Sequence, residues 1–205
     1  MIGTRDNHPV SDDGVWSGVS GSVLIVSATR AEARHLPAGS RLLVTGIGKV
    51  RATMALSREL AVGAPVRQVI NIGTAGALRD GVVGSGRDLF TPSAVLEHDI
   101  SSAELRAMGY EMTDRWELPD GDGTVLASGD TFVADPVRRA ELARHADLVD
   151  MEGCAVAHVS AQFGIPCRLV KAVTDNADEG AMEWPDLVDA AARRLGQWIE
   201  LNVGG

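Results

Sequence analysis

Residues 23–26 form an uninterrupted apolar run, Val-Leu-Ile-Val, close to the start of the chain. A run without polar interruption is typical of a central strand that is covered on both faces. Further strand candidates follow it and alternate with helical patterns. The strands are expected at residues 41–45, 67–72, 87–95, 123–128 and 168–173, and the helices at residues 50–60, 136–145, 151–163 and 185–201. This alternation predicts an α/β layer fold with a mixed or mainly parallel sheet, in which ligands bind beyond the carboxyl ends of the strands.

The length and composition indicate one folded domain. The chain has 205 residues, of which 45% are hydrophobic, and this is enough for a single domain with a substantial core. Residues 1–20 are rich in Asp, Ser and Gly, and we expect them to form a disordered extension of a domain at residues 21–205. Residues 97–122 are polar and weakly periodic, which predicts an excursion that rims the active site or faces a partner.

Charge and apolar patterning exclude several classes of partner. The net charge of -9 and the isoelectric point near 5.0 would repel a nucleic acid polymer. The apolar runs are far shorter than the ~20 residues of a membrane helix, and the polar N-terminus lacks a signal-peptide core. These features predict a cytoplasmic protein without a membrane partner. Cys154 and Cys167 lack metal-ligand spacing, so we expect buried thiols, no metal and no cofactor.

Two glycine-bearing segments follow predicted strands, where a phosphate or a sugar could approach the backbone. Residues 45–50, Thr-Gly-Ile-Gly-Lys-Val, lack the third glycine of a dinucleotide-binding fingerprint, and a plain tight turn is the alternative. Residues 71–76, Asn-Ile-Gly-Thr-Ala-Gly, lack the Gly-Lys-Ser/Thr of a Walker loop. Their small residues would instead expose backbone amides and the Thr74 hydroxyl to a ligand.

Two acidic clusters lie near the end of the chain. Residues 150–152, Asp-Met-Glu, open a predicted helix, and residues 174–178, Thr-Asp-Asn-Ala-Asp, close the following strand. Both carboxylates could converge on one pocket and form a nucleoside-cleaving site. The alternative is that Glu152 caps the first turn of a helix and Asp175 is a turn residue.

Six segments, taken together and in order, resemble the nucleoside phosphorylase and nucleosidase superfamily, and most closely the methylthioadenosine/S-adenosylhomocysteine nucleosidases. The segments are residues 28–32, 45–50, 71–76, 128–133, 150–152 and 172–178. The resemblance covers residues 22–203 and implies a three-layer α/β/α fold with a central mixed, mainly parallel sheet. It also implies that the chain cleaves the N-ribosidic bond of a purine nucleoside or a 5'-modified adenosine.

The resemblance implies two roles for the acidic clusters. Asp175 would be the general acid or hydrogen-bond partner at N7 of the purine, so that the base leaves neutral. Glu152 would accept hydrogen bonds from the ribose hydroxyls and place negative charge near an oxocarbenium-like sugar. Met151 would pack against the ribose.

The remaining substrate contacts are carried over from the same resemblance. Phe132 would stack on the purine base, and Val133 would offer backbone hydrogen bonds to the edge of the base. Thr74 would help to hold the nucleophile or the sugar.

The nucleophile separates a hydrolase from a phosphorylase, because phosphate needs arginines and water needs a base. Glu32 falls where the nucleosidases keep the carboxylate that activates water. Asn71 stands where the phosphorylases often carry an arginine. A neutral amide in place of that arginine removes one bidentate phosphate ligand. Arg30 lies close to a phosphate-binding arginine of the phosphorylase pattern and keeps that alternative open. Both Glu32 and Arg30 could also belong to a solvated first turn of helix.

Some features depart from the nucleosidase pattern. Lys171 stands where the pattern usually has arginine, and a lysine cannot supply the same planar fork. Residues 91–122 match poorly, so the group at the 5' position of the sugar stays open. Methylthioadenosine, S-adenosylhomocysteine, futalosine and plain purine nucleosides are all candidate substrates, and a non-catalytic nucleoside-binding protein is a remote alternative. Because family members are commonly oligomers, the resemblance also implies a homodimer in which residues 97–122 close the partner's active site.

Overall fold

A computed structural model describes residues 21–83, 86–177 and 184–203 of the chain. The expected disordered extension at residues 1–20 and the last residue of the second acidic cluster, Asp178, lie outside the described residues.

Strands and helices alternate along the described ranges, which contain nine strands and five helices. The strands are β1 (Ser22–Ser27), β2 (Leu42–Val44), β3 (Val66–Ala77), β4 (Leu89–Phe90), β5 (Ala94–Glu97), β6 (Arg115–Glu117), β7 (Val125–Ser128), β8 (Leu148–Asp150) and β9 (Cys167–Asp175). The helices are α1 (Lys49–Val62), α2 (Ser102–Ala107), α3 (Pro136–Leu142), α4 (Gly153–Gln162) and α5 (Trp184–Val203). Among the described residues, no helix combines the length and the apolar composition that would be needed to cross a bilayer.

The strands form one mixed sheet built from two parallel blocks. In the first block β2, β1, β3 and β9 run parallel, and in the second block β5, β7 and β8 run parallel. The blocks join through an antiparallel pairing of β3 with β8, in which Gly76 lies opposite Val149. The short strand β8 pairs with the last two residues of β3, so its carboxyl end lies beside the carboxyl end of β3 although the two blocks run in opposite directions. The ends of β1, β3, β8 and β9 therefore meet in one region of the sheet.

Helices cover both faces of the sheet, and the buried residues of a strand point alternately to the two faces. In β3, Val69 packs in a core with Leu56 of α1 and Val156 of α4, whereas Ile70 packs in a second core with Leu195 of α5. Neighbouring side chains in a strand point to opposite faces of a sheet, so the apolar residues of one strand pack into both cores. Each such side chain contributes about 1.5–3 kcal/mol when fully buried. The three-layer α/β/α prediction is confirmed.

The predicted elements match the structure where apolar runs are long, and the errors in the predicted strands lie among the short ones. The strand predicted at residues 87–95 is wrong, because the chain forms β4 and β5 there with a break between them. The excursion predicted at residues 97–122 is only partly correct, because it contains α2 and the edge strand β6, whose Trp116 packs against the core. Strand β8 was not predicted at all. Its three residues carry no periodicity of their own and are held by pairing with β3 and β7.

Candidate active site

A cavity of about 360 Å³ opens where the ends of β1, β3, β8 and β9 meet. The lining consists of Ala28, Thr29, Glu32, Ile47, Thr74, Ala75, Gly76, Thr131, Phe132, Val133, Val149, Asp150, Met151, Glu152, Thr174, Asp175 and Ala177. All seven site residues predicted from the sequence are among them. None of the described residues that line this cavity is an arginine, a lysine or a histidine.

Glu32 is buried in the turn after β1 and is held at both carboxylate oxygens. Its Oε1 accepts hydrogen bonds from the Thr74 amide at 2.8 Å and the Thr74 hydroxyl at 3.0 Å. Its Oε2 accepts from the Thr29 hydroxyl at 2.8 Å and the Thr29 amide at 3.1 Å. These four close donors, together with the Ser27 hydroxyl at 3.5 Å from Oε2, fix the carboxylate in one orientation at the edge of the cavity. Thr74, which was expected to hold the nucleophile or the sugar, therefore also positions Glu32.

Glu152 lies between β8 and α4, and only 8% of its surface is exposed. Its Oε1 accepts a hydrogen bond of 2.8 Å from the Gly48 amide at the start of α1. Burial and the neighbouring Asp150 carboxylate raise the pKa of Glu152 to about 7, although Lys171 and the Gly48 amide act in the opposite direction. Glu152 therefore changes its charge near neutral pH.

Asp150, which lines the cavity, forms a buried ion pair with Lys171, which does not. The Lys171 Nζ lies 2.7 Å from Asp150 Oδ2 and donates a 2.7 Å hydrogen bond to Asn71 Oδ1. Burial alone would lower the pKa of Lys171, but the nearby carboxylates, with Asp150 the strongest of them, raise it. The Ser128 hydroxyl donates to the other Asp150 oxygen, so the carboxylate is satisfied from both sides.

Neither Arg30, on which the phosphorylase alternative depended, nor Asn71, which counted against it, lines the cavity. Asn71 is 2% exposed, and its amide nitrogen donates to the Val26 carbonyl while its oxygen binds Lys171. Arg30 is exposed and is not among the lining residues. Lys171 is also absent from the lining, and its ammonium is the counter-charge of the buried Asp150 carboxylate.

Asp175 ends β9, and the chain turns immediately after it. Its Oδ2 accepts from the Thr174 hydroxyl at 2.7 Å, and its Oδ1 accepts from the Ala177 amide at 2.8 Å. Ala177 has a φ of 51°, which is unusual for a residue with a side chain. A Cβ on Gly76 would lie 2.9 Å from Asp175 Oδ1, so only glycine permits this approach. The last glycine of the segment 71–76 thus makes room for the carboxylate.

The apolar part of the lining includes residues of the loop that follows β7. Phe132 is 53% exposed, whereas Val133 is 5% exposed. Met151, directly before Glu152, is half-buried and also lines the cavity. The lining therefore combines carboxylates with apolar side chains, which suits a ligand with a polar ring joined to an aromatic one.

The geometry agrees with the comparisons to known proteins. A sequence model described as the phosphorylase superfamily matches residues 41–200. The chain belongs to the phosphorylase superfamily. It is 30% identical over 182 residues to the aminodeoxyfutalosine nucleosidase of Helicobacter pylori strain J99, and the match covers 77% of this chain and 76% of that protein.

Other members of the superfamily are similarly related. A 5'-methylthioadenosine/S-adenosylhomocysteine nucleosidase of Shewanella oneidensis is 31% identical over 170 residues, which is 69% of each chain. Among solved structures, the MTA/SAH nucleosidase of Streptococcus pneumoniae in complex with 8-aminoadenine is 26% identical and has a TM-score of 0.73. That match covers 86% of this chain and 96% of the other. The family and fold predicted from the sequence are confirmed.

Sequence reasoning missed two residues of this superfamily site. Thr29 was not singled out, although Thr29-x-x-Glu32 is the spacing of a capping box, in which each residue binds the backbone amide of the other. The structure has both of these bonds, at 3.1 and 3.2 Å. Asp150 was quoted as part of a motif without a role, and its pairing with Lys171 depends on contacts between distant strands that no local spacing indicates.

Proposed function

We propose that this chain hydrolyses the N-ribosidic bond of a purine nucleoside or a 5'-modified adenosine and releases the free base and the sugar. The observation that carries the proposal is the convergence of Glu32, Glu152 and Asp175 on one cavity. The lack of arginine or lysine among the described lining residues favours water over phosphate as the nucleophile. The names of the nucleosidase relatives support the same reaction.

Departure of the base is assigned to Asp175. A carboxyl group there protonates or hydrogen-bonds N7 of the purine and so avoids release of an anionic base. The bonds from Thr174 and Ala177 fix its orientation while it faces the cavity. Phe132 stacks on the base, and the Val133 backbone binds the edge of the base.

Stabilisation of the sugar is assigned to Glu152, with Met151 packed against the ribose. Glu152 receives one hydrogen bond from the described residues, so its carboxylate keeps acceptor positions for the ribose hydroxyls. Positive charge develops on the sugar as the bond to the base breaks, and a nearby carboxylate stabilises it.

Activation of water is assigned to Glu32. Two of its four donors are the hydroxyls of Thr29 and Thr74, which can rotate and leave a carboxylate oxygen free for a water molecule. The two backbone amides keep the carboxylate in place meanwhile. Glu32 takes a proton from the water as the oxygen attacks the sugar carbon.

The first experiment measures release of free base from methylthioadenosine, S-adenosylhomocysteine, adenosine, inosine and futalosine by chromatography, with and without phosphate. Release without phosphate is expected. Release only with phosphate, together with ribose 1-phosphate, would identify a phosphorylase. The futalosine-type substrate is the second candidate, because an aminodeoxyfutalosine nucleosidase is among the relatives.

The role of Asp175 is tested by Asp175→Asn. General acid catalysis contributes about two to four orders of magnitude, so turnover should fall by that factor. The amide keeps an oxygen for the Ala177 amide and has nearly the same shape, so folding should be preserved. Turnover close to that of the parent enzyme would reject the assigned role.

We further propose that the chain works as a homodimer in the cytoplasm. Ile47 and Phe132 are exposed at the cavity mouth, and Val50 of α1, with Met108 and Tyr110 of the segment 97–122, is also exposed. Clusters of exposed apolar side chains often mark protein interfaces, and a second copy of this chain is the occupant that the resemblance predicts. Two free cysteines fit a reducing compartment. A monomeric mass in light scattering at micromolar concentration would exclude the dimer.

A further inference from the structure

We propose that Lys49 is a positioning residue of this site, which fixes the sugar-binding carboxylate relative to the loop that holds the base. The inference rests on the proposed function, because it uses the roles given there to Glu152 and to residues 131–133. Lys49 does not line the cavity and contacts no substrate in this scheme. It acts through the groups that it holds.

The first turn of α1 binds both sides of the site through two consecutive amides. The Gly48 amide donates to Glu152 Oε1 at 2.8 Å, and the Lys49 amide donates to Asp130 Oδ1 at 2.8 Å. Asp130 lies two residues before Phe132 in the loop after β7. A shift of the α1 start would therefore move the sugar carboxylate and the base loop relative to each other.

The side chain of Lys49 holds this turn in place. Its Nζ lies 2.5 Å from Glu97 Oε1 and 2.5 Å from Asp99 Oδ1, at the end of β5 and beyond it. Asp99 Oδ2 in turn accepts a 2.7 Å hydrogen bond from the Asp130 amide. Lys49, Asp99 and Asp130 thus form a closed ring of contacts, which we call the Lys49 clamp.

The ion pairs of Lys49 are largely shielded from solvent, whereas Asp130 is exposed, and Lys49 is permanently charged. The side chains of Lys49, Glu97 and Asp99 are 18%, 19% and 16% exposed. Burial alone would lower the pKa of Lys49, but its bonds to Asp99 and Glu97 raise it well above the usual range. An ion pair in such surroundings is less screened than the exposed pairs of the surface.

Two glycines bring the parts of the Lys49 clamp into contact. Gly48 has a φ of 98°, and a Cβ on it would lie 2.9 Å from Asp130 Oδ1. A Cβ on Gly129 would lie 2.6 Å from His98 Nε2 and 2.8 Å from the Asp99 carboxyl carbon. Because backbone and side chains approach this closely, small displacements are resisted, which is what a positioning device requires.

The test compares Lys49→Met with the parent enzyme on whichever nucleoside the parent cleaves. Met keeps the apolar stem but removes the ammonium, which leaves the carboxylates of Glu97 and Asp99 facing each other. Misplacement of reacting groups by about 1 Å can lower rates by about 10²-fold, so kcat/KM should fall by about that factor. KM should rise as well as kcat fall, because contacts to both the base and the sugar weaken.

Three further variants make the result specific. Lys49→Arg should recover most of kcat/KM, because arginine can still bridge two carboxylates. Asp99→Asn should lower kcat/KM in the same direction but by less, and it tests the clamp if Lys49→Met does not fold. Arg41→Met is the matched control, because it removes a cation paired with Glu59 at 2.7 Å, in a partly shielded pair outside the cavity lining. It should leave kcat and KM unchanged.

The outcomes separate the two proposals. Unchanged KM and kcat in folded Lys49→Met and Asp99→Asn would overturn the positioning role and leave the hydrolase intact. A loss of kcat alone, with KM unchanged and no recovery in Lys49→Arg, would also overturn it. A parent enzyme that releases no base from any nucleoside would reject the proposed function, and the positioning role would fall with it.

Discussion

Replacing Glu152 by Gln should change how the stability of the protein depends on pH. Burial and the neighbouring Asp150 raise the pKa of Glu152 from 4.5 to about 7 in the folded chain. Between these two values the folded state holds a proton that the unfolded state has lost. The free energy of unfolding therefore falls as pH rises through this window, because the folded state must give up the proton and bury a charge.

The magnitude follows from the difference between the two pKa values. The gap between 4.5 and about 7 corresponds to about 3 kcal/mol at about 1.4 kcal/mol per pKa unit. Between pH 5 and pH 8 the linkage relation gives a loss of about 2–3 kcal/mol from this one group. Gln does not ionise, and its oxygen can still accept the hydrogen bond from the Gly48 amide. The variant should escape this loss.

Urea unfolding of both proteins at pH 5, 6, 7 and 8 measures the effect. The difference in free energy of unfolding should move in favour of Glu152→Gln by about 2–3 kcal/mol between pH 5 and pH 8. Glu117→Gln serves as the control, because its side chain is 72% exposed, and its curve should run parallel to that of the parent. Parallel curves for Glu152→Gln as well, within about 0.5 kcal/mol, would refute the reasoning.

Two other predictions concern the candidate site, and a third concerns the packing of α5. The kcat/KM of the parent should rise about tenfold per pH unit below pH 7 and then level off as Glu152 ionises, and a flat profile from pH 5 to 8 would exclude this. Lys171→Met should lower the free energy of unfolding by about 3–5 kcal/mol in urea titrations at pH 7, because it leaves Asp150 as an unpaired buried charge. Adding Asp150→Asn should return part of that loss, and full additivity of the two changes would contradict the pairing. Gly196→Ala would place a Cβ 2.1 Å from the His35 carbonyl oxygen, so it should cost about 1–3 kcal/mol, and an unchanged melting temperature would show that the contact yields easily.

Local signals made the central strands predictable, and a family resemblance pointed to the residues that line the cavity. The run that became β1 is apolar without interruption, and those that became β3 and β9 are mainly apolar with a few polar residues, so each is recognisable without knowledge of its partners. The site segments follow such strands directly, and their residue types resemble a known family. Family resemblance, rather than periodicity, brought the seven predicted residues into one site.

Long-range pairing was not predictable. Gly76 opposite Val149 joins two parallel blocks that run in opposite directions, and neither residue indicates the other in the sequence. Lys171 was interpreted only as a weaker substitute for arginine, whereas its position is decided by Asp150 on a different strand. Such pairs depend on which strands become neighbours, and this is settled by the packing of the whole sheet.

The site divides its stabilising contacts unequally among four carboxylates, and the inequality fits the roles proposed for them. Asp150 has the Lys171 ammonium, Glu32 has four close hydrogen-bond donors and Asp175 has two, whereas Glu152 receives one hydrogen bond from the described residues. All four line the cavity, and the least satisfied carboxylate is the one with the pKa raised to about 7. Ribose hydroxyls would supply the donors that the protein withholds. A carboxylate kept short of partners in the free protein would therefore bind the sugar more strongly than a satisfied one, and the expected loss of stability near neutral pH is the physical consequence of that arrangement.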